Sequence, residues 1–339
     1  MAEANPIRLP VNNPTRPPIG PGVPEEGKDG LFSQSWFPIC LASDVGREEV
    51  KGFDFLDGRI VVYRGGSGQA TVASAYCPHM GADLAVGRVV GDTIRCAFHH
   101  WDYDLDGKCV KTMVGDPAPP TACLFVFPSQ ERWGLIWAFN GDKPHYDLPD
   151  FPFPEDELAF KTIELPGLSP VDTWIQCCNT PDMQHIKALH GVQFSQEDPH
   201  ELVRWTPFSC SYDFDGIHVN GEKVENSIGV WGTSLYWQST FIDGKWFGFL
   251  VPMGMPRPGF SKNFMIVAGK KADGTAEEVE QWLDFVLEFE KRVVGEDLPI
   301  METIRFRPGT LTRSDKTFAR YLQLLRNYPR AHPSAEFIK

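Results

Sequence analysis

Two short segments of the chain place pairs of metal-binding side chains sixteen residues apart: Cys77 with His79, then Cys96 with His99. Two thiolates and two imidazoles on paired loops suit a [2Fe–2S] cluster that has cysteine on one iron and histidine on the other. Neutral imidazole lowers the negative charge of such a cluster and raises its reduction potential. The motif therefore indicates single-electron transfer. A tetrahedral zinc site with two sulfur and two nitrogen ligands is the alternative.

The sequence around these segments favours iron–sulfur over zinc. Apolar, β-prone runs at 60–63 and 134–137 flank both segments, and Asp106-Gly107 is a typical hairpin turn. With Trp101 after the second segment, this arrangement resembles the Rieske [2Fe–2S] ferredoxin fold.

A second set of candidate ligands follows in a D-x2-H-x4-H pattern formed by Asp182, His185 and His190. Two histidines and one carboxylate, with open positions opposite, form the non-haem Fe(II) site that activates O2. Because the histidines are five residues apart, a regular helix would not align them. A kinked or widened turn would be needed to direct both at one metal. Two surface histidines on an ordinary helix are the alternative.

A further carboxylate follows a predicted amphipathic helix that runs from about 275 to 294. Its apolar residues recur at helical spacing and are Val279, Trp282, Leu283, Val286 and Val293. Asp297 comes four residues after Val293 and extends this inward stripe. A carboxylate there needs a partner, since burying an unpaired charge is costly. Alternatively, Asp297 caps the next segment before Pro299.

Together the two sets of residues resemble the Rieske non-haem iron oxygenases, in their terminal oxygenase component. The resemblance extends over nearly the whole chain from about Phe32. It implies that Cys77 and Cys96 ligate the inner iron of one [2Fe–2S] cluster per subunit. It also implies that His79 and His99 ligate the outer iron.

The same resemblance implies one mononuclear Fe(II) per subunit, ligated by His185 and His190. Family members carry the third ligand, an aspartate, in a segment similar to 296–302. Asp297 is therefore the expected third ligand, and Glu296 is the fallback.

Asp182 is expected to be a bridging carboxylate. By resemblance it would be hydrogen-bonded to His185 and to His99 of a neighbouring subunit, which carries the electron path across a subunit boundary. A homotrimer follows from this arrangement. No G-x-G-x-x-G dinucleotide fingerprint follows a predicted strand, so electrons from NAD(P)H are expected through a separate reductase or ferredoxin.

The expected fold class is α+β and has three parts. Residues 1–30 form a disordered or draped arm, and 31–145 form an all-β Rieske [2Fe–2S] domain. Residues 146–339 form an α+β catalytic domain with a central antiparallel sheet of the helix-grip, or START-like, type. A linker dense in proline and aspartate covers 143–157.

The composition bounds the class of protein. The 339 residues are 42% hydrophobic and 23% charged, as is ordinary for globular chains. A net charge of −13 argues against a nucleic-acid partner. No apolar run is long enough to span a bilayer, and eight scattered cysteines fit a reducing compartment. We expect a cytoplasmic protein with no membrane partner.

The expected substrate is a medium-sized, largely apolar cyclic molecule, because aromatic and methionine residues are dense between 231 and 255. They are Trp231, Tyr236, Trp237, Phe241, Trp246, Phe247, Phe249, Met253 and Met255. Strand alternation would direct about half of them inward. Most are expected to be ordinary core, and a few to contact substrate.

The resemblance is closer to the single-subunit monooxygenases, which include ketosteroid hydroxylases and N- or O-demethylases, than to the arene dioxygenases. Met80 follows the first ligand histidine, where many family members have arginine. The expected activity is O2-dependent monooxygenation, as hydroxylation or oxidative demethylation. cis-Dihydroxylation is the second interpretation, and a cluster-only electron-transfer protein is the alternative from another class.

Overall fold

The computed structural model describes residues 21–307 and 310–339. Residues 1–20, most of the predicted arm, lie outside this part of the chain. The remainder of the arm packs on the body of the protein. Glu26 is buried, accepts hydrogen bonds from Ser33, and pairs with Arg330 at 3.3 Å.

The N-terminal region is built from short antiparallel strands. Their bounds are β1 Phe32–Ser33, β2 Trp36–Leu41, β3 Glu49–Phe55, β4 Gly58–Arg64, β5 Ala70–Ser74, β6 Arg88–Val90, β7 Thr93–Arg95, β8 Asp102–Tyr103, β9 Cys109–Lys111, β10 Ser129–Arg132 and β11 Leu135–Phe139. They form the sheets β3-β4-β5, β6-β7-β8-β9 and β10-β11-β2. The apolar runs at 60–63 and 134–137 lie in or beside strands, as their β-branched and aromatic residues predict.

The C-terminal region combines a large antiparallel sheet with helices. Its elements are β12 Leu158–Glu164, α1 Thr173–Cys177, α2 Met183–Ala188, β13 Val192–Phe194, β14 Arg204–Trp205, β15 Ser209–His218, β16 Lys223–Trp231, β17 Leu235–Ile242, β18 Lys245–Arg257, β19 Phe260–Lys270, α3 Ala276–Met301, α4 Lys316–Arg326, β20 Arg330–Ala331 and α5 Ala335–Ile338. The sheet order is β12-β19-β18-β17-β16-β15-β13, with β14 also pairing β15, and β20 pairs β1. The predicted α+β class, with an all-β N-terminal region, is confirmed.

The two faces of the large sheet meet different neighbours. One face packs against the long helix α3, through Phe247, Phe249 and Val267 on the strands and Leu283 and Val286 on the helix. The opposite face packs against the N-terminal region. Its contacts include Trp36, Trp137, Trp246, Leu250 and Ile266. Helix α3 therefore covers a face of the sheet that the N-terminal region does not occupy.

Helix α3 is longer than the sequence predicts. It begins with a capping box between Thr275 and Glu278 and continues to Met301, past Pro299 in its last turn. The predicted end near 294 was too early because Gly295 and Pro299 weaken helix propensity, and the packing of the helix on the sheet overrides that preference. Asp297 is therefore a residue of the helix, and the alternative that it caps a following segment is wrong.

Helix α2 is shorter than a helix that would hold both histidines of the D-x2-H-x4-H pattern. It ends at Ala188, and Leu189 is its C-cap. His190 follows the helix, and Gly191 then takes a positive φ of 64°, which glycine adopts without steric cost. The end of the helix, rather than a kink or a widened turn, releases His190 from helical geometry.

No helix in residues 21–307 or 310–339 is long and apolar enough to cross a bilayer.

Candidate metal centres

The two loops predicted to hold the cluster lie together in the N-terminal region. Cys77 and Cys96 are buried in one apolar core with Tyr103, whereas His79 is exposed and His99 half-buried. Backbone hydrogen bonds close each loop. The amide of Cys77 donates to Ala82, and the amide of Cys96 donates to Trp101. The four predicted ligands thus form a buried sulfur pair beneath a histidine pair near the surface.

The histidine pair has the separation that a shared metal requires. The Nδ1 atoms of His79 and His99 are 3.1 Å apart. Two nitrogens bound tetrahedrally at about 2.0–2.1 Å would be about 3.3–3.4 Å apart. Trp101 stacks on the His79 ring at 4.4 Å with an interplanar angle of 6°, which fixes the orientation of that imidazole. The donor set fits a metal cluster with its histidine side towards solvent.

Tyr103 is a functional candidate that the sequence reasoning did not identify. Its hydroxyl is 3.0 Å from the Cys77 sulfur, in a site where burial raises the pKa of the Cys77 thiol and the Tyr103 hydrogen bond lowers it. A thiolate here is stabilised when a metal cation lies beside it. Hydrogen bonds to cluster sulfurs also tune the reduction potential. In the sequence, the only signal was a tyrosine four residues after His99. Its role becomes visible only in the folded chain, where it contacts a ligand from the other loop.

The second candidate centre brings together His185, His190 and Asp297. The Nε2 atom of His185 is 2.9 Å from Asp297 Oδ1, and Nε2 of His190 is 3.6 Å from Oδ2. One potential ligand atom from each residue lies within 4.8 Å of the other two. His185 lies on α2, His190 follows the end of that helix, and Asp297 lies on α3. The set can hold one metal ion through two nitrogens and one carboxylate.

Each histidine of this set has a partner on its other ring nitrogen. The Nδ1 atom of His185 is 3.2 Å from the carbonyl oxygen of Asn179. Nδ1 of His190 is 2.9 Å from Glu296 Oε2. A carbonyl oxygen accepts hydrogen bonds only, so His185 Nδ1 carries a proton, and Nε2 is the ring nitrogen that faces Asp297. Such contacts orient metal-ligating histidines. Glu296, the fallback ligand, contacts the far side of His190.

The electrostatics of this set favour a bound cation. Burial raises the pKa of Asp297, but His185 and His190 outweigh burial and lower it to about 2. Burial lowers the pKa of His190, but Asp297 and Glu296 outweigh it and raise it. The raised pKa of His190 means that a proton on its imidazole is favoured beside these two carboxylates in the metal-free chain. A divalent ion can replace that proton, because it neutralises the same negative charge.

Asp182 is hydrogen-bonded to His185 through the backbone of α2. It is the N-cap of α2, and its Oδ1 accepts hydrogen bonds from the backbone amides of Gln184 and His185 at 3.1 and 3.3 Å. Aspartate at this position satisfies amide groups that have no partner within the helix. Asp182 is therefore hydrogen-bonded to the backbone amide of His185, while the ring of His185 contacts Asn179.

The aromatic and methionine residues between 231 and 255 divide between the two sheet faces, as alternation predicts. Trp231, Trp237 and Trp246 belong to the core shared with the N-terminal region. Tyr236 and Phe249 belong to the core beneath α3. The tryptophans are thus on the face away from the candidate iron site.

Comparison with known proteins gives a family for the N-terminal region. A family model described as "Rieske [2Fe-2S] domain" matches residues 35–127. The 5,5′-dehydrodivanillate O-demethylase oxygenase subunit of Sphingobium sp. is 25% identical over 69% of this chain and 58% of its own length. A probable 3-ketosteroid-9-alpha-monooxygenase oxygenase component of Rhodococcus rhodochrous is 32% identical over 51% of this chain and 44% of its own length. The chain thus aligns with about half the length of these relatives.

Solved structures share the fold along most of the chain. Pseudomonas putida CBB5 NdmA with caffeine superposes with a TM-score of 0.67 and 20% identity, covering 86% of this chain and 90% of that one. Dicamba monooxygenase bound to dicamba gives a TM-score of 0.58 and 18% identity, covering 87% and 97%. At these identities the likeness establishes the fold.

The chain is therefore an iron–sulfur protein whose N-terminal region is a Rieske [2Fe–2S] domain, and zinc is not the metal that this domain holds. Beyond this domain, the chain is similar to oxygenase components of the Rieske type in part of its sequence and shares its fold with solved oxygenase structures. The Rieske domain implies a [2Fe–2S] cluster, and one solved structure of dicamba monooxygenase is described with non-haem iron.

Proposed function

We propose that this chain is a terminal oxygenase that monooxygenates a medium-sized, largely apolar cyclic substrate, by hydroxylation or oxidative demethylation. The observation that carries the proposal is the convergence of His185, His190 and Asp297 in the same chain as the Rieske loops. A cluster-only electron carrier has no use for such a set. O2 is the co-substrate, and electrons come from NAD(P)H through a separate reductase or ferredoxin.

The Rieske loops supply the ligands of the cluster in this proposal. Cys77 and Cys96 hold the inner iron, and His79 and His99 hold the outer iron. The cluster supplies single electrons at a modest potential. The position of the histidine pair near the surface supports electron exchange on that side.

His185, His190 and Asp297 hold the mononuclear iron. Iron in a two-histidine, one-carboxylate set supplies O2 activation, because it retains open coordination positions. Asn179 and Glu296 keep the two imidazoles in the orientation that directs Nε2 at the site. Asp297 balances part of the charge of the bound ion.

The electron path is proposed to cross a subunit boundary within a homotrimer. In the described part of the chain, no hydrogen bond or ring contact joins His79 or His99 to His185, His190 or Asp297. The surface beside the cluster histidines carries the exposed apolar side chains of Met80 and Phe98, as an interface with another subunit requires.

Asp182 is proposed to accept a hydrogen bond from His99 of the adjacent subunit and so complete the path. Its Oδ1 is already committed to the α2 backbone, which leaves the second carboxylate oxygen to face the neighbouring chain. The proposed role of Asp182 is thus to join the two centres and to cap the helix that carries His185.

Monooxygenation is favoured over cis-dihydroxylation because relatives that align with the chain are named as an O-demethylase and a ketosteroid monooxygenase. Met80 beside the first cluster histidine agrees with that branch. The reducing compartment expected from the cysteines, and hence a cytoplasmic location, is part of the proposal; the eight cysteines form no disulfide.

The test is the mass of the product formed with isotopically labelled O2, using purified protein, a surrogate reductase and NADH. The substrate panel contains steroids, N- and O-methylated aromatics and polycyclic alkaloids. One labelled oxygen in the product establishes a hydroxylase, and methyl loss with formaldehyde establishes a demethylase. Two labelled oxygens would replace the proposal with cis-dihydroxylation. No product, with a cluster that is still reducible, would favour the electron-carrier alternative.

A further inference from the structure

A carboxyl group is buried on the inward stripe of α3, two helical turns before Asp297. Glu290 is 2% exposed, and its Oε1 atom has no hydrogen-bond partner among residues 21–307 and 310–339. Buried carboxyl groups are almost always paired, because leaving one without a partner costs free energy. An orphaned oxygen at this position is therefore evidence for a missing partner.

Glu290 faces polar groups on the large sheet. Tyr236 and Gln238 are two residues apart on β17 and so project from the same face. The Tyr236 hydroxyl donates to Gln238 Oε1 at 2.9 Å. This bond leaves the amide nitrogen of Gln238 directed away from the tyrosine, towards the helix. Burial raises the pKa of Glu290 to about 8, with His190 and the Gln238 side chain lowering it.

The polar groups lie between the sheet and the helices. Tyr236 pairs with Val251 on the neighbouring strand. Both residues are half-buried, although β17 and β18 lie in the middle of the sheet. Tyr236 also contacts two apolar clusters, one containing Met183 and Ile186 of the iron helix α2 and the other containing residues of α3. The Tyr236 side chain thus lies between α2, α3 and the sheet, beside the two helices that carry His185 and Asp297.

We propose that Glu290, held beside Gln238 and Tyr236, is the specificity-determining group of the substrate site and binds a neutral oxygen acceptor of the substrate, such as a ring ketone. This rests on the proposed function, since it takes the space beside the iron site as the place where substrate binds. Glu290 donates its carboxyl proton to the ketone oxygen. The Gln238 amide is the second donor, positioned by Tyr236.

Helix α3 fixes the distance between Glu290 and the iron ligand Asp297. Glu290 and Asp297 are seven residues apart on a continuous helix, which is about 10 Å along its axis and nearly the same face. A substrate anchored at Glu290 therefore presents to the iron a carbon on the far side of a ring system.

A neutral acceptor fits better than a carboxylate or an ammonium group. A substrate carboxylate would meet the carboxyl of Glu290 without a basic partner. An ammonium group would require the ionised form of Glu290, which burial disfavours. Each of these possibilities makes a distinct prediction for amide substitution at Glu290.

The experiment is equilibrium binding of matched bicyclic probes to the holoprotein, measured by calorimetry without a reductase. The probes are α-tetralone, tetralin and the amine of the same skeleton. We expect α-tetralone to bind about tenfold more tightly than tetralin, the value of one good hydrogen bond to a buried donor. Glu290→Leu should remove this preference, and Glu290→Gln should keep most of it, because an amide is also a neutral donor. Equal binding of the three probes, or no binding of the ketone, would overturn the proposal.

A ketone preference that persists in Glu290→Leu would also overturn the proposal. Tightest binding of the amine, lost in Glu290→Gln, would replace it with an ion pair. As a second readout, the infrared band of a protonated carboxyl should be absent from Glu290→Gln and should shift in the wild type with α-tetralone but not with tetralin. An unchanged band contradicts the assignment.

Iron content and the visible cluster spectrum show whether each variant is intact. These measurements separate the two proposals. If ketone-selective binding is found but no labelled product forms from any substrate, the proposed oxygenase activity fails and the binding site stands. If labelled product forms and Glu290→Leu binds all probes like the wild type, the binding site fails and the activity stands.

Discussion

The two candidate metal centres are assembled in opposite ways. The four cluster ligands lie between residues 77 and 99, on loops that share one small core. In the second centre His185 and Asp297 are 112 residues apart and come from different helices. The first centre depends on local turns and can be recognised in the sequence as a spacing pattern. The second depends on how α2 and α3 pack on the sheet, so it is more sensitive to changes in tertiary structure.

The independence of the two centres is tested most directly by removing one imidazole from the second centre. In His185→Ala we expect the mononuclear iron content to fall to near zero and turnover to fall to background. Only His190 and Asp297 would remain as ligands, and two ligands would hold the ion too weakly. The cluster spectrum should be unchanged, since its ligands belong to a separate core. Metal analysis, visible spectroscopy and labelled-product assays measure these effects. Turnover that survives would contradict the assigned iron site.

The reciprocal change is Cys96→Ala, which should abolish the cluster spectrum. Iron binding at His185, His190 and Asp297 should remain, because helices α2 and α3 do not depend on the cluster loops. A parallel loss of both centres would show that the two sites are coupled in folding.

Two substitutions of Asp182 distinguish its proposed role in electron transfer from its role as the cap of α2. We expect Asp182→Ala and Asp182→Asn each to retain both metal centres but to fail in electron transfer between them. Only the alanine variant should lose stability, by about 1 kcal/mol, because asparagine also caps helices. Single-turnover reduction and denaturant unfolding measure the two effects. Normal reduction of the mononuclear site in Asp182→Asn would refute the bridging role.

Substitution of Glu296 tests whether its contact with Nδ1 of His190 orients that ring for metal binding. Glu296→Gln should weaken iron binding by about 10–100-fold, as for other carboxylates that orient a ligating histidine. Glu288→Gln is the matched control, since Glu288 is an exposed residue of the same helix paired with Lys291. Competition with a chelator gives both affinities. Equal affinities would exclude an orienting role.

The smallest expected effect is a shift in the reduction potential of the cluster on substitution of Tyr103, which contacts a cluster ligand. Tyr103→Phe removes a hydrogen bond to the Cys77 sulfur that stabilises the more negative, reduced state. We expect the cluster potential to fall by roughly 40–60 mV, the equivalent of a bond worth about 1–1.5 kcal/mol. Tyr63→Phe is the control, because Tyr63 lies in the same core but donates to a backbone carbonyl. The same shift in both variants would contradict a specific effect on the sulfur.

The expected elements of the fold follow from local sequence where one pattern dominates. The β-prone runs at 60–63 and 134–137 and the Asp106-Gly107 hairpin agree with their local residues. The end of α3 differs from expectation because tertiary packing extends the helix beyond Gly295 and through Pro299.

The sequence by itself determined the residues that could bind metal, because side-chain chemistry and short spacing are local properties. It placed Cys77, His79, Cys96 and His99 in paired loops, and it placed Asp297 on an inward stripe by helical periodicity. The tertiary structure decided which carboxylate meets the histidines: Asp297 faces both rings, and Glu296 lies behind His190. It also decided that Glu290 Oε1 has no hydrogen-bond partner among residues 21–307 and 310–339, because that depends on which strand side chains lie opposite the helix.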